Sequence, residues 1–142
     1  MTSTPCILLV DDDEIGAELT LAALEELGLG IAVEQARDGE EALDLLFHRR
    51  PYSIPGAEPY LVLLDLKMPK IDGHEVLRQI RTSEHLKNLR VIVLSSSDQK
   101  SDIEQAARLN PEAYLKKPPS IFDLIAQFHQ LTPLLLPPGQ LR

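Results

Sequence analysis

Short apolar runs rich in Val, Ile and Leu alternate along the chain with longer segments in which apolar residues recur at helical spacing. The short runs are typical of strands buried on both faces, and the longer segments are typical of amphipathic helices. The predicted strands cover residues 6–10, 31–36, 60–64, 91–94 and 113–116, and the predicted helices cover 15–27, 41–48, 73–81, 103–109 and 121–131. This alternation predicts an α/β protein in which five repeats build a parallel sheet.

Two segments depart from this alternation. Residues 49–59 contain three prolines and one glycine with no hydrophobic period, which predicts a long exposed loop inserted into the domain. Residues 132–142 form an apolar, Pro-rich C-terminal extension after a domain that covers residues 1–131. A chain of 142 residues has room for one such domain, and 44% hydrophobic residues supply its core.

The leucines of the C-terminal extension need a partner surface. Prolines at 133, 137 and 138 exclude a regular helix and keep the backbone extended, so we expect that the segment cannot fold back to bury its own leucines. A second copy's helix-four to helix-five face is the nearest apolar candidate, which predicts a homodimer. A frayed terminus is the alternative. The leucines concerned are Leu134, Leu135, Leu136 and Leu141.

Charge and composition narrow the classes of partner. A formal net charge of −8 repels nucleic acid and anionic membranes, so we expect neither as a partner. No apolar stretch reaches the roughly 20 residues that span a bilayer, and the N-terminus lacks the basic segment of a secretory leader. Cys6 is the single cysteine, so no intramolecular disulfide forms and a cytoplasmic location is expected.

Residues that carry chemistry follow four of the predicted strands. In an open parallel sheet, these carboxyl ends meet at the topological switch point, where ligands bind. We therefore expect a carboxylate cluster flanked by a hydroxyl and an ammonium group. The residues concerned are Asp11, Asp12 and Asp13 after strand one, Asp65 after strand three, Ser95, Ser96 and Ser97 after strand four, and Lys116 and Lys117 before Pro118.

The aspartates have two interpretations. Capping of the first helix explains Asp13, because one Asp can satisfy the free N–H groups of a helix start. Capping explains neither the two preceding acids nor Asp65, because Asp is a poor strand former. Carboxylates this close raise one another's pKa unless a cation lies among them. Oxygen ligands of this kind favour Mg²⁺ as the cofactor.

Ser95 and Lys117 gain meaning from their position. A phosphoryl group on Asp65 would need donors for the oxygens that the metal leaves free, and one hydroxyl and one ammonium supply them. Lys116 alternates with Lys117 along the predicted strand, so we expect it to point out of the site.

Four motifs together are similar to those of the response-regulator receiver domains of two-component signalling, over nearly all of residues 5–131. They are ILLVDDDE at 7–14, LLDLKMPKIDG at 63–73, VIVLSSS at 91–97 and AYLKKP at 113–118. The resemblance implies that Asp65 is the phospho-acceptor, that Lys117 is the invariant lysine, and that Ser95 and Tyr114 are the switch residues. It also implies a flavodoxin-like, doubly wound sheet of order 2-1-3-4-5 in three α/β/α layers, and a cis bond before Pro118.

The resemblance further implies the metal ligands and the mechanism. Asp11, Asp12 and Asp65 would hold Mg²⁺ together with the backbone carbonyl of Lys67, whose side chain could compete with or assist the phosphoryl charge. A sensor histidine kinase would supply the phosphoryl group, and the protein would act as a signalling switch without a DNA-binding output domain. The loop at 49–59 and the apolar tail resemble single-domain regulators that partner bacterial phytochromes.

Three other functions compete with this one. A haloacid-dehalogenase-like phosphatase would want a second Asp two residues after its nucleophile, where this chain has Lys67. A flavodoxin would need a first loop that cradles phosphate, and Asp11 to Asp13 would repel it. A receiver-like module that is never phosphorylated is the third.

Two expectations concern single side chains. The four histidines are expected on the surface, and Phe122 is expected in the core.

Overall fold

The computed structural model describes residues 3–139, in which strands and helices alternate as the apolar pattern predicts. The strands are β1 (Thr4–Val10), β2 (Ala32–Ala36), β3 (Ala57–Leu64), β4 (Arg90–Ser95) and β5 (Ala113–Lys116). The helices are α1 (Glu14–Glu26), α2 (Gly39–Leu46), α3 (Gly73–Thr82), α4 (Lys100–Ala107), α5 (Ile121–Gln130) and α6 (Thr132–Leu135). None of the helices in this range is long and apolar enough to cross a membrane.

All strand pairs in the sheet are parallel, and the order is β2-β1-β3-β4-β5, which confirms the flavodoxin-like prediction. Successive side chains of β3 enter opposite layers. Leu61 and Leu63 pack in the core on the α1 and α5 side, whereas Val62 and Leu64 pack on the side of α2 and α3. All four are fully buried, which is why the central strand is a continuous apolar run instead of an alternating one.

Short polar residues begin most of the helices. Asp13 caps α1 and accepts a hydrogen bond from the Ile15 amide, as the sequence predicts. Asp72 caps α3 in the same way, through the Glu75 amide at 3.0 Å. At the start of α4, by contrast, the Gln99 side chain accepts no capping hydrogen bond.

The segment before β3 is shorter and more ordered than predicted. The strand begins at Ala57, three residues earlier than the pattern indicated, because its outer part is only half buried and carries Pro59. Glu34 of β2 is 6% exposed, and its carboxylate accepts hydrogen bonds from the amides of Ser53 and Ile54 and from the Ser53 hydroxyl.

Burial and the charge of Glu34 raise the pKa of Cys6, which is fully buried in β1, to about 11.

The prediction for the C-terminal extension is wrong in its central point. Residues 132–135 form the single-turn helix α6, because Pro133 lies in the first turn, where its missing N–H is not needed. Leu135 is fully buried in the core on the α1 and α5 side, and its carbonyl accepts a hydrogen bond from the Tyr60 hydroxyl at 2.5 Å. The segment therefore folds back onto its own subunit. Leu141 lies outside the described residues.

Two further expectations about single residues are wrong. Phe122 is 79% exposed, because the core face of α5 is formed by Leu124 and Phe128, and Phe122 points away from it. His74 is buried, since it lies in the first turn of α3 against α4, whereas the other three histidines are exposed.

The expectation of a cis bond before Pro118 is also wrong. All peptide bonds in residues 3–139 are trans.

Candidate functional site

The register of the sheet brings two of the predicted acids together. Val10 lies opposite Leu64, so the next residue of each strand, Asp11 and Asp65, are neighbours at the carboxyl edge. The Asp65 amide donates to the Val10 carbonyl at 3.0 Å, which fixes the backbone at the end of β3. The acids thus meet because two central parallel strands end side by side.

Asp11, Asp12 and Asp65 form a carboxylate triad, in which one oxygen from each lies within 4.8 Å of the others. Asp11 and Asp65 are 5% and 6% exposed, whereas Asp12 faces solvent. One carboxylate oxygen of Asp11 accepts the Asp13 amide at 2.9 Å, which orients the other toward the site. The structure therefore groups three of the predicted metal-binding residues and leaves Asp13 to its helix cap.

Lys117 follows β5, which lies beyond β4 in the sheet, and its side chain reaches back to this triad. Its Nζ lies 2.8 Å from Asp11 Oδ2 and 3.4 Å from Asp65 Oδ2. Its backbone amide donates to the Ser95 carbonyl at 2.7 Å, so the end of β4 holds the lysine in place. Lys117 is therefore in direct contact with both Asp65 and Asp11, as the sequence predicts.

The charges in this contact perturb one another. Burial raises the pKa of Asp65, and the nearby Asp11 adds to that effect, while Lys117 opposes it. Burial lowers the pKa of Lys117, but its hydrogen bond to Asp11 and the charges of Asp65 and Asp11 outweigh that effect and raise it. Lys117 is thus held as a cation, and its charge offsets only part of the effects that raise the pKa of Asp65.

The donor set fits a divalent cation. Three carboxylates and one ammonium carry a formal net charge of −2 at one edge of the sheet. The ligand atoms are oxygens only, and one of the three acids is open to solvent, which suits a cation that keeps several waters. A divalent ion would neutralise this formal charge.

Two glycines keep space beside the site. A Cβ on Gly16 would lie 3.1 Å from Asp11 Oδ2 and 3.0 Å from Asp13 Oδ2, so a side chain there would crowd the acids. A Cβ on Gly73 would collide with the Asp65 carbonyl oxygen and the Leu66 backbone. Gly73 thus allows the start of α3 to approach the end of β3.

Ser95 and Tyr114 are both connected to Ser97. Ser95 is the last residue of β4 and is fully buried, and its hydroxyl oxygen accepts the Ser97 amide at 3.2 Å. The Tyr114 hydroxyl donates to the Ser97 carbonyl at 2.9 Å. Within residues 3–139, neither predicted switch residue makes a hydrogen bond to Asp65.

Two other lysines near the site, Lys67 and Lys116, direct their ammonium groups away from Asp65. The Lys67 amide donates to Asp65 Oδ1 at 3.2 Å, but its ammonium lies 3.0 Å from Asp102 Oδ2 on α4. Lys116 points outward, as expected from its alternation with Lys117, and its ammonium contacts Asp98 at 2.8 Å.

Sequence reasoning missed a buried polar cluster next to the triad, formed by His74, Ser97 and Asp102. Hydrogen bonds from Ser97 and Lys67 hold the pKa of the Asp102 carboxyl at about 2. Asp102 lies in the first turn of α4, where an acid normally serves only the helix start. The three residues of the cluster lie in three different segments, in α3, in the loop after β4 and in α4, so no local sequence pattern identifies it.

Comparisons with known proteins agree with this geometry. A family model described as the response regulator receiver domain matches residues 7–129. A protein of Methanothrix harundinacea named "Probable methanogenesis regulatory protein FilR2" is 44% identical over 119 residues, 83% of this chain and 75% of that protein. The Mn²⁺-bound form of response regulator Rcp1 superposes with a TM-score of 0.82 at 31% identity and covers 96% of this chain and 98% of its own. The bacteriophytochrome response regulator AtBRR has a TM-score of 0.75 at 38% identity over 100% of both chains.

Proposed function

The chain belongs to the response regulator receiver domain family, and from this premise we propose that Asp65 accepts a phosphoryl group from a sensor histidine kinase. The observation that carries the proposal is the contact of Asp65 with Lys117 at 3.4 Å beside Asp11, at the carboxyl end of β3. A buried carboxylate at an open sheet edge, with a fixed ammonium beside it, suits a phospho-acceptor, because the ammonium stabilises the negative charge of the phosphorylated product.

The transfer is an in-line displacement. A carboxylate oxygen of Asp65 forms the new bond to phosphorus, the bond from phosphorus to the kinase histidine breaks, and its electron pair stays on that nitrogen. Lys117 lies on the side of Asp65 Oδ2 and is placed to pair with an oxygen of the transferred group. The Lys67 amide, which donates to Asp65 Oδ1, orients the carboxylate for attack.

The same residues would hold Mg²⁺. The Asp11, Asp12 and Asp65 carboxylates would bind it, and the Lys67 backbone carbonyl would complete the protein ligands. When bound, the ion would offset the negative charge that gathers as the phosphoryl group approaches. The net charge of the carboxylate triad and Lys117 supports a divalent ion here.

Phosphorylation would then change the surface around β4 and β5. The Ser95 hydroxyl would turn from the Ser97 amide toward the phosphoryl group, and Tyr114, now bonded to the Ser97 carbonyl, would move with it. The protein is on this account a signalling switch and not an enzyme acting on other substrates. Lys67, at the position where a haloacid-dehalogenase-like enzyme would want an acid, supports that choice.

Three finer assignments belong to the same proposal. The kinase is a bacterial phytochrome, which the similarity to the bacteriophytochrome response regulator AtBRR supports. The protein acts in the cytoplasm, which its single buried cysteine supports. It is a homodimer through the face of α4 and α5, where Ile103 and Phe122 are 38% and 79% exposed. Leu135 is not part of that interface, because its own subunit covers it.

The acceptor assignment is tested by intact-mass measurement. With Mg²⁺ and a small phosphodonor such as acetyl phosphate, we expect one phosphoryl adduct on the native protein and none on Asp65→Asn. Asp13→Asn is the matched control, because asparagine caps a helix as well as aspartate and the adduct should remain. An adduct that persists in Asp65→Asn, or that never forms on the native protein, would overturn the assignment.

A further inference from the structure

Asp102 of α4 binds three other segments of the protein at once. It is 9% exposed, and its Oδ2 accepts the Ser97 hydroxyl at 2.6 Å and the Lys67 ammonium at 3.0 Å. Its Oδ1 lies 3.3 Å from Nε2 of the buried His74. The loop after β3, the start of α3 and the loop after β4 are therefore joined by one carboxylate.

Two of the residues that contact Asp102 also form a hydrogen bond with the acceptor or with a switch residue. Lys67 donates its amide to Asp65, and Ser97 donates its amide to the Ser95 hydroxyl. The Ser97 carbonyl accepts the Tyr114 hydroxyl. Asp102 thus lies outside the carboxylate triad but is linked to every residue that is expected to change on phosphorylation.

The bond from Ser97 to Asp102 is short and has a charged acceptor, and such bonds are the stronger ones in proteins. The Ser97 hydroxyl oxygen also accepts the Gln99 amide at 3.3 Å, so the start of α4 is tied to the same residue. His74 is buried in the first turn of α3 and connects Asp102 to that helix. The loop at 96–99 is therefore linked to α3 through Asp102.

We propose that Asp102 is a positioning residue that holds the loop at 96–99 and the Lys67 ammonium in the arrangement of the unphosphorylated protein. If Ser95 turns to a phosphoryl group, the Ser97 amide loses its acceptor, and the loop can follow only when Ser97 leaves Asp102. The contact therefore opposes switching and sets how much phosphorylation must contribute to achieve it. This inference rests on the proposed function and concerns the regulation of the same site.

Asp102→Asn tests the proposal, because it keeps the size of the side chain and removes the charge that holds Ser97 and Lys67. The readout is the affinity for beryllium trifluoride, which mimics a phosphoryl group on a carboxylate, titrated by calorimetry at fixed Mg²⁺. We expect binding about fivefold tighter or more than in the native protein, the lower end of typical coupling between sites. A merely structural role would weaken binding or leave it unchanged.

Asp98→Asn is the matched control, because Asp98 is an exposed acid of the same loop that also contacts a lysine, and its affinity should equal that of the native protein. Ser97→Ala removes the hydroxyl that donates to Asp102 and accepts the Gln99 amide, and it should change the affinity in the same direction. It covers the case in which Asp102→Asn does not fold. Equal or weaker binding in the folded variants would overturn the positioning role while native binding upholds the acceptor. No binding by the native protein would overturn both.

Discussion

At the scale of single residues, the solvent-facing member of the carboxylate triad is the one whose role can be separated from folding. Asp11 and Asp65 are buried and tied to Lys117, so changing either also disturbs that contact. Asp12 is exposed, and its main interaction with the other two is repulsion unless a cation lies among them.

Asp12→Ala should therefore weaken Mg²⁺ binding by about tenfold or more, since even residues that only support a metal ligand commonly cost 10-fold to 100-fold. The free energy of unfolding without Mg²⁺ should stay the same or rise, because repulsion within the triad is relieved. Titration calorimetry and urea unfolding measure the two effects. Glu14→Gln, an exposed neutralisation two residues away, is the control. Unaltered Mg²⁺ affinity in Asp12→Ala would remove it from the ligand set.

The contact between Asp65 and Lys117 could be predicted from sequence, whereas the contact between Lys67 and Asp102 could not. Asp65 and Lys117 end parallel strands of the same sheet, and strand order alone brings such ends together. Lys67 has a long, flexible side chain that could pair with any of several acids, and its partner lies on a helix whose position depends on core packing. Such a pair can be identified only from the structure.

At the scale of elements, the short helix α6 shows where local rules were applied too widely. Pro133 does prevent a long helix, but it is compatible with a first turn, and one turn is enough to direct Leu135 inward. The strands and the other helices were easier to predict, because each carries its own hydrophobic period over several residues. A four-residue helix has no period, so its burial depends on the surface that the rest of the chain provides.

Leu135→Ala should lower the free energy of unfolding by about 2–5 kcal/mol, the usual cost of truncating a fully buried leucine. Leu136→Ala is the matched control, because Leu136 is adjacent and only partly buried, and its loss should be clearly smaller. Urea unfolding of the two variants and the native protein makes the comparison. Equal losses would mean that the extension does not pack as described.

At the scale of the whole molecule, the strand order and layer arrangement follow from the alternation of strands and helices, whereas the assembly does not. The apolar residues that remain exposed on α4 and α5 were identified only by the structure, since Phe122 reads as a core residue in sequence. A helix of ten residues has several apolar positions, and which of them face the core is set by one rotation of the helix.

Phe122→Asp should convert the proposed homodimer into a monomer, because it places a charge in an apolar contact. Light scattering at tens of micromolar protein would show half the native mass. Ile15→Asp is the control, because Ile15 is 69% exposed but lies on α1, outside the proposed face. A native protein that is already monomeric, or a dimer that survives Phe122→Asp, would contradict the interface.

The burial of Cys6 has a practical consequence for studying the switch. Its thiol is fully buried, and its pKa of about 11 leaves almost none of it as the reactive thiolate near neutral pH. A cysteine introduced on the surface of α4 or α5 would therefore be the preferred target of a maleimide dye. Fluorescent reporters of the switching surface could be attached to the protein with its native cysteine in place.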